Sequence, residues 1–165
     1  VLIPFFWYRK DKQEKYEKKD FHFVPFFHSS TKTFRDGSGS DSYLQVWPLF
    51  HNWSKTDGSR EFATLSIFPL RLFVSLDKLL WPFFNIYKYH REPSGATRHD
   101  AVLGLITAYD DPDEFRFSFP LLYSHTSHRT RGWNHSFLFG LISFGGGEEG
   151  LKKLRLLYIP LLDSE

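Results

Sequence analysis

No cysteine and no methionine occur among the 165 residues. Without thiols the chain can form neither disulfides nor thiolate metal sites, and redox chemistry gives no clue to its compartment. The sequence opens at Val1, which reads as a processed product or a fragment from which any signal peptide is gone. Net charge is nearly absent as well: +2 overall is too little to point to nucleic acid. The basic cluster Arg9–Lys19 is interleaved with Asp11, Glu14, Glu17 and Asp20, so its field largely cancels, as in a solvated loop. Long apolar runs are missing too. Ser136–Gly147 is among the longest and falls short of the roughly 18 residues that a membrane helix needs. Helical spacing is sustained nowhere. In Asp11–Lys19 the pairs Asp11/Lys15 and Glu14/Lys18 are four apart, but without an apolar stripe they support one helical turn at most.

What the chain has in excess is aromatic side chains, 19% of its residues with 19 Phe, in a phrase that recurs nine times. Two alternating apolar residues are followed by proline or glycine and then by more apolar residues. Examples are Phe21-His22-Phe23-Val24-Pro25-Phe26-Phe27, Leu44-Gln45-Val46-Trp47-Pro48-Leu49-Phe50 and Phe117-Ser118-Phe119-Pro120-Leu121-Leu122. Self-similarity at about 20 residues marks a repeat architecture. The alternation is that of pleated strands. Turn formers such as Asp36-Gly37-Ser38-Gly39, Thr56-Asp57-Gly58-Ser59, Pro93-Ser94-Gly95 and Asp111-Pro112-Asp113 separate the phrases. Connections this short favour antiparallel hairpins over parallel crossovers.

The expected fold is therefore all-β, one domain over residues 1–165: an antiparallel meander of about nine short strands. Loops alternate between a trimmed end, as at Ser75-Leu76-Asp77 and Asp110–Glu114, and an elaborated end. Proline lacks the ladder N–H and is confined to edges, strand starts or bulges, so its recurrence at one slot predicts a row of bends crossing the sheet. Beyond that row both faces turn apolar, as in Phe83-Phe84 and Leu121-Leu122. The sheet would form a sandwich, an open barrel or a solenoid-like sheet, and the domain could be a fragment of a longer repeat array.

The phrases Trp47-Pro48-Leu49-Phe50 and Trp81-Pro82-Phe83-Phe84, echoed by Val24-Pro25-Phe26-Phe27 and Phe119-Pro120-Leu121-Leu122, resemble the tandem "WPLF"-type aromatic β-strand repeat proteins of bacteria and protists. The resemblance covers nearly the whole chain and is compositional. It implies a repetitive β scaffold and transfers no functional residue. Gly104 and Gly140 depart from the proline slot.

No constellation of catalytic type emerges. Asn52-Trp53-Ser54 and Asn134-His135-Ser136 fit the N-glycosylation pattern, both placed in long loops at one end of the meander. Asp36–Asp41 and Asp110–Glu114 read as turns rather than calcium loops, and Gly145-Gly146-Gly147 as a flexible hairpin loop. His125, His128 and His135 near one loop, and His90 and His99 near another, match no ordered presentation of metal ligands, so neither metal nor cofactor is expected.

The functional expectation is a non-enzymatic structural protein, extracellular or on the cell surface. It would assemble with copies of itself into a filament or layer through strand edges and aromatic faces, and could carry covalent glycans. Candidate assembly residues are Phe5, Phe6 and Trp7 at one end, and Leu156, Tyr158 and Leu161 at the other; removing residues 1–8 should abolish assembly. Alternatives are an outer-membrane β-barrel or part of one, and a carbohydrate-binding module with Trp7, Trp53, Tyr87, Tyr89 or Trp133 as stacking platforms.

Overall fold

A computed structural model describes residues 5–65, 86–147 and 150–163. Among them lie fifteen strands in one antiparallel sheet, each bonded only to its neighbours in sequence. They are β1 (Phe6–Lys12), β2 (Tyr16–Phe23), β3 (Phe27–Phe34), β4 (Ser40–Val46), β5 (Phe50–Ser54), β6 (Arg60–Thr64), β7 (Tyr87–Arg91) and β8 (Thr97–Ala101). The meander goes on through β9 (Ile106–Asp110), β10 (Glu114–Phe119), β11 (Tyr123–His128), β12 (Gly132–Phe137), β13 (Ile142–Gly147), β14 (Gly150–Leu156) and β15 (Ile159–Asp163). The expected all-β meander is present, but with more than nine strands. The sheet does not close: β1 and β15 each have a single strand neighbour. Its strands of five to eight residues also fall short of the roughly 9–11 that cross a bilayer.

The recurring phrases explain the miscount. Each described phrase after the first is a hairpin turn flanked by the ends of two strands, not one bent strand. Val24-Pro25-Phe26 links β2 to β3, Trp47-Pro48-Leu49 links β4 to β5, and Pro120-Leu121-Leu122 links β10 to β11. Proline suits these positions because it presets φ and needs no partner for an N–H. The remaining described turns at this end are Val102–Leu105, Leu138–Leu141 and Leu157-Tyr158. Every described connection at the opposite end is polar, as in Asp36–Gly39, Asp57-Gly58, Pro93-Ser94-Gly95 and Arg129–Arg131. The phrases within 66–85, including Trp81-Pro82 and the Ser75–Asp77 loop, lie outside the described residues.

The basic N-terminal segment is likewise a hairpin and not a loop or helical turn. Lys10 and Lys19 face each other across β1 and β2, a repulsive pairing offset because Glu17 accepts both ammonium groups, at 3.0 and 3.3 Å. Asp111 behaves as expected: its carboxylate accepts the backbone N–H groups of Asp113 and Glu114 at 2.8 and 2.7 Å, closing a tight turn.

Gly145-Gly146-Gly147 is not a loop but part of β13, with a bulge between Gly145 and Gly146. Gly132 takes φ +89° beside it, and a Cβ there would overlap the Gly146 carbonyl. The glycines let two backbones approach where no side chain fits.

No second layer packs on this sheet among the described residues. Among the described residues the only buried apolar side chains are Ala63, at 0% exposure, and Ala96, at 2%.

Candidate functional site

The register sorts the side chains onto two faces of different chemistry, because neighbours across an antiparallel ladder share a face and adjacent residues alternate. The file nearest the apolar turns runs through Phe6, Phe23, Phe27, Val46 and Phe50. It continues through Phe119, Tyr123, Phe137, Ile142 and Leu156. Two residues inward on the same face lie Phe117, His125, His135, Phe144 and Leu154. Rings pack along this face, with Tyr123–Phe137 centroids 4.9 Å apart and Phe137–Phe144 stacked at 5.9 Å. The intervening residues form a polar face: His22, His28, Gln45 and His51 in one run, and Thr107, Ser118, Ser124, Ser136 and Ser143 in another.

The row of apolar turns borders the apolar face and is made at a cost. Val102, Leu103, Leu121, Leu138, Phe139, Leu157 and Tyr158 all have positive φ, between 48° and 76°. Positive-φ positions in hairpin turns normally carry Gly, Asn or Asp, and an ordinary side chain in the left-handed region costs about 1–2 kcal/mol. Phe139, 68% exposed, and Leu157, 60% exposed, do not recover that cost by burial within the chain.

On the polar face, Glu61 of β6 faces three cations or potential cations. His51 Nε2 and Lys88 Nζ are each 3.2 Å from its oxygens, and His90 Nδ1 is 3.6 Å away. Burial pushes the Glu61 carboxyl up, but the hydrogen bond from His51 and the charge and hydrogen bond of Lys88 together outweigh it and bring it to about 2.

A second polar cluster lies at the β2–β3 hairpin. Asp20 and His22 are two apart on β2 and so share a face, and the turn at Val24-Pro25-Phe26 sets His28 directly opposite His22. Their rings stack at 3.9 Å, and Trp7 of β1 stacks on the far side of His22 at 4.4 Å. One ligand-type atom from each of Asp20, His22 and His28 falls within 4.8 Å of the others. Lys18 Nζ holds Asp20 Oδ2 at 2.7 Å, while Asp20 Oδ1 and His22 Nδ1 are buried without hydrogen-bond partners. Burial raises the Asp20 carboxyl, yet hydrogen bonds from Lys18 and Ser30 leave it below its ordinary value. His22 is also lowered, chiefly by burial.

The histidines expected in loops are in strands: His90 on β7, His99 on β8, His125 and His128 on β11, and His135 on β12. They are not brought together as sets. His125 and His135 stack at 4.3 Å on the apolar face, while His128 points to the polar face, near Glu114. Tyr123 hydrogen-bonds His135 Nδ1 at 2.8 Å, and Tyr87 does the same to His99 at 2.8 Å, at corresponding positions two hairpins apart. That repeated Tyr–His spacing was legible in the chain, although the phrases obscured it.

The glycosylation candidates occupy strands rather than loops. Asn52, opposite Leu44 and Phe62, is on the apolar face, and Asn134, opposite Thr126, is on the polar face. Both are exposed. A sugar on Asn134 leaves the aromatic face clear, whereas one on Asn52 stands in its middle.

The assembly candidates do fall at the two sheet edges, and all are exposed. Phe5, Phe6 and Trp7 lie at β1; Leu156, Tyr158 and Leu161 lie at β14, its turn and β15. The edges differ. β15 carries Pro160 and a bulge, devices that blunt strand addition, whereas the first half of β1 offers exposed aromatics. Of the proposed sugar platforms, Trp7 and Trp53 pack on His22 and His90, Tyr87 and Tyr89 on His99, and Trp133 on Phe144.

A scan against protein-family models, a search of curated proteins and a search of solved structures each returned no match.

Proposed function

We propose that this chain is a non-enzymatic structural subunit that assembles with copies of itself, apolar face against apolar face, with the row of apolar turns as part of the contact. The carrying observation is that row: at least seven ordinary side chains held at strained positive φ, several of them exposed. Asn-Gly turns would relieve the strain, so its retention favours an apolar contact outside the chain.

Surface area supports the same reading. The accessible surface is 11579 Å², whereas a compact monomer of 19.6 kDa would expose about 8,600 Å². The excess of about 3,000 Å² per chain is ample for a permanent subunit interface, which takes about 1,000–2,500 Å² from each partner. The aromatic half of β1 offers a second, weaker contact by strand addition, extending contacts into a filament or layer. An extracellular or surface location belongs to the same proposal and fits a glycan on Asn134.

Neighbouring residues on opposite faces give the test. Phe137→Glu places a charge on the apolar face, and Ser136→Glu places one on the polar face. By sedimentation and detergent-free electron microscopy, Phe137→Glu should disperse the assemblies while Ser136→Glu leaves them intact, with circular dichroism reporting strand content in both. Wild-type protein that stays monomeric, or folded Phe137→Glu that assembles like wild type, would overturn the proposal.

A further inference from the structure

We propose that Asp20, His22 and His28 form a binding site for a divalent transition-metal ion of the zinc class on the polar face, between β2 and β3. Two imidazoles and one carboxylate are a zinc-type donor set, with open positions for water. Calcium and magnesium want six or more oxygens, which this cluster does not supply. Ligands bonded to zinc at about 2.0–2.2 Å stand roughly 3.3–3.5 Å from one another. Donor atoms already within 4.8 Å can close on an ion once the two stacked rings tilt toward it.

Two further features prepare the cluster. The hairpin register fixes His22 against His28, and Trp7 backs the His22 ring, so the imidazoles are ordered before any ion arrives. Lys18 engages Oδ2 of Asp20 and leaves Oδ1 free, and Nδ1 of His22 is buried without a partner. Lys18 opposes the ion by like charge, and this gives the site a signature that adventitious binding at scattered histidines lacks.

The test is equilibrium dialysis of the full chain against zinc, read by elemental analysis, which works on assembled and dispersed protein alike. A single zinc per chain is expected, with cobalt giving the visible absorption of a low-coordinate site. His22→Phe and His28→Phe keep a ring in the stack but remove a ligand, and with Asp20→Asn each should weaken binding at least about tenfold. Lys18→Met should tighten it several-fold, and His125→Phe with His135→Phe should leave it unchanged. Circular dichroism confirms that each variant keeps its strands. Absence of saturable uptake, uptake indifferent to His22→Phe, or uptake lost equally with His125 and His135 would overturn the proposal.

Discussion

Replacing Glu61 by glutamine removes the charge at the centre of the polar-face network while keeping the shape of the side chain. Its carboxyl lies at about 2 against an ordinary 4.5, and at 1.36 kcal/mol per unit that difference corresponds to about 3 kcal/mol. Glu61 and Lys88 both keep some contact with water, 18% and 26% of their side-chain surface, so screening brings the expected loss at pH 7 to about 1–2 kcal/mol. The folded-state value is depressed, so the stabilisation is fully present above the ordinary 4.5 and is lost as pH falls toward about 2. Urea unfolding of the wild type and of Glu61→Gln at a series of pH values should therefore show a constant gap from pH 7 to about 5 that closes by about 2. Other carboxylates destabilise both proteins equally on the acid side, so the difference isolates this one. A gap that persists unchanged at pH 2.5, or none at pH 7, would refute the reasoning.

Two other variants test the backbone account. Leu138→Asn with Phe139→Gly relieves two positive-φ positions, so the dispersed chain should gain about 1–2 kcal/mol while assembly weakens; a melting temperature that rises without loss of assembly would separate the strain from the contact. Gly132→Ala puts a methyl group against the Gly146 carbonyl at φ +89°, and should cost upward of about 2 kcal/mol in denaturant unfolding. A neutral result there would mean that the β12–β13 backbones are not so close.

The alternating phrases made the strand period, the antiparallel order and the absence of sustained helix readable from the chain. The connectors were less transparent. Val24-Pro25-Phe26 and Leu138–Leu141 are turns, yet their composition is that of buried strand, and turn recognition relies on Gly, Asn and Asp. Reading them as strand undercounted the hairpins and placed Asn52, Asn134 and the histidines in loops they do not occupy. The Asp20–His22–His28 cluster was hidden by the same error, because only a turn at residues 24–26 brings His28 opposite His22.

Taken alone, the residues determined an all-β meander with an excess of aromatic surface, since periodicity and side-chain volume are local properties of the chain. They also placed the assembly candidates at its first and last strands. Which face each residue joins was decided only by the register, because a shift of one position sends every side chain to the other side. The separation of an aromatic face from a polar one, the apolar turns gathered along one border, and the meeting of two histidines with an aspartate are all consequences of hydrogen-bonded pairing between strands. That pairing fixes distances that spacing along the chain leaves free.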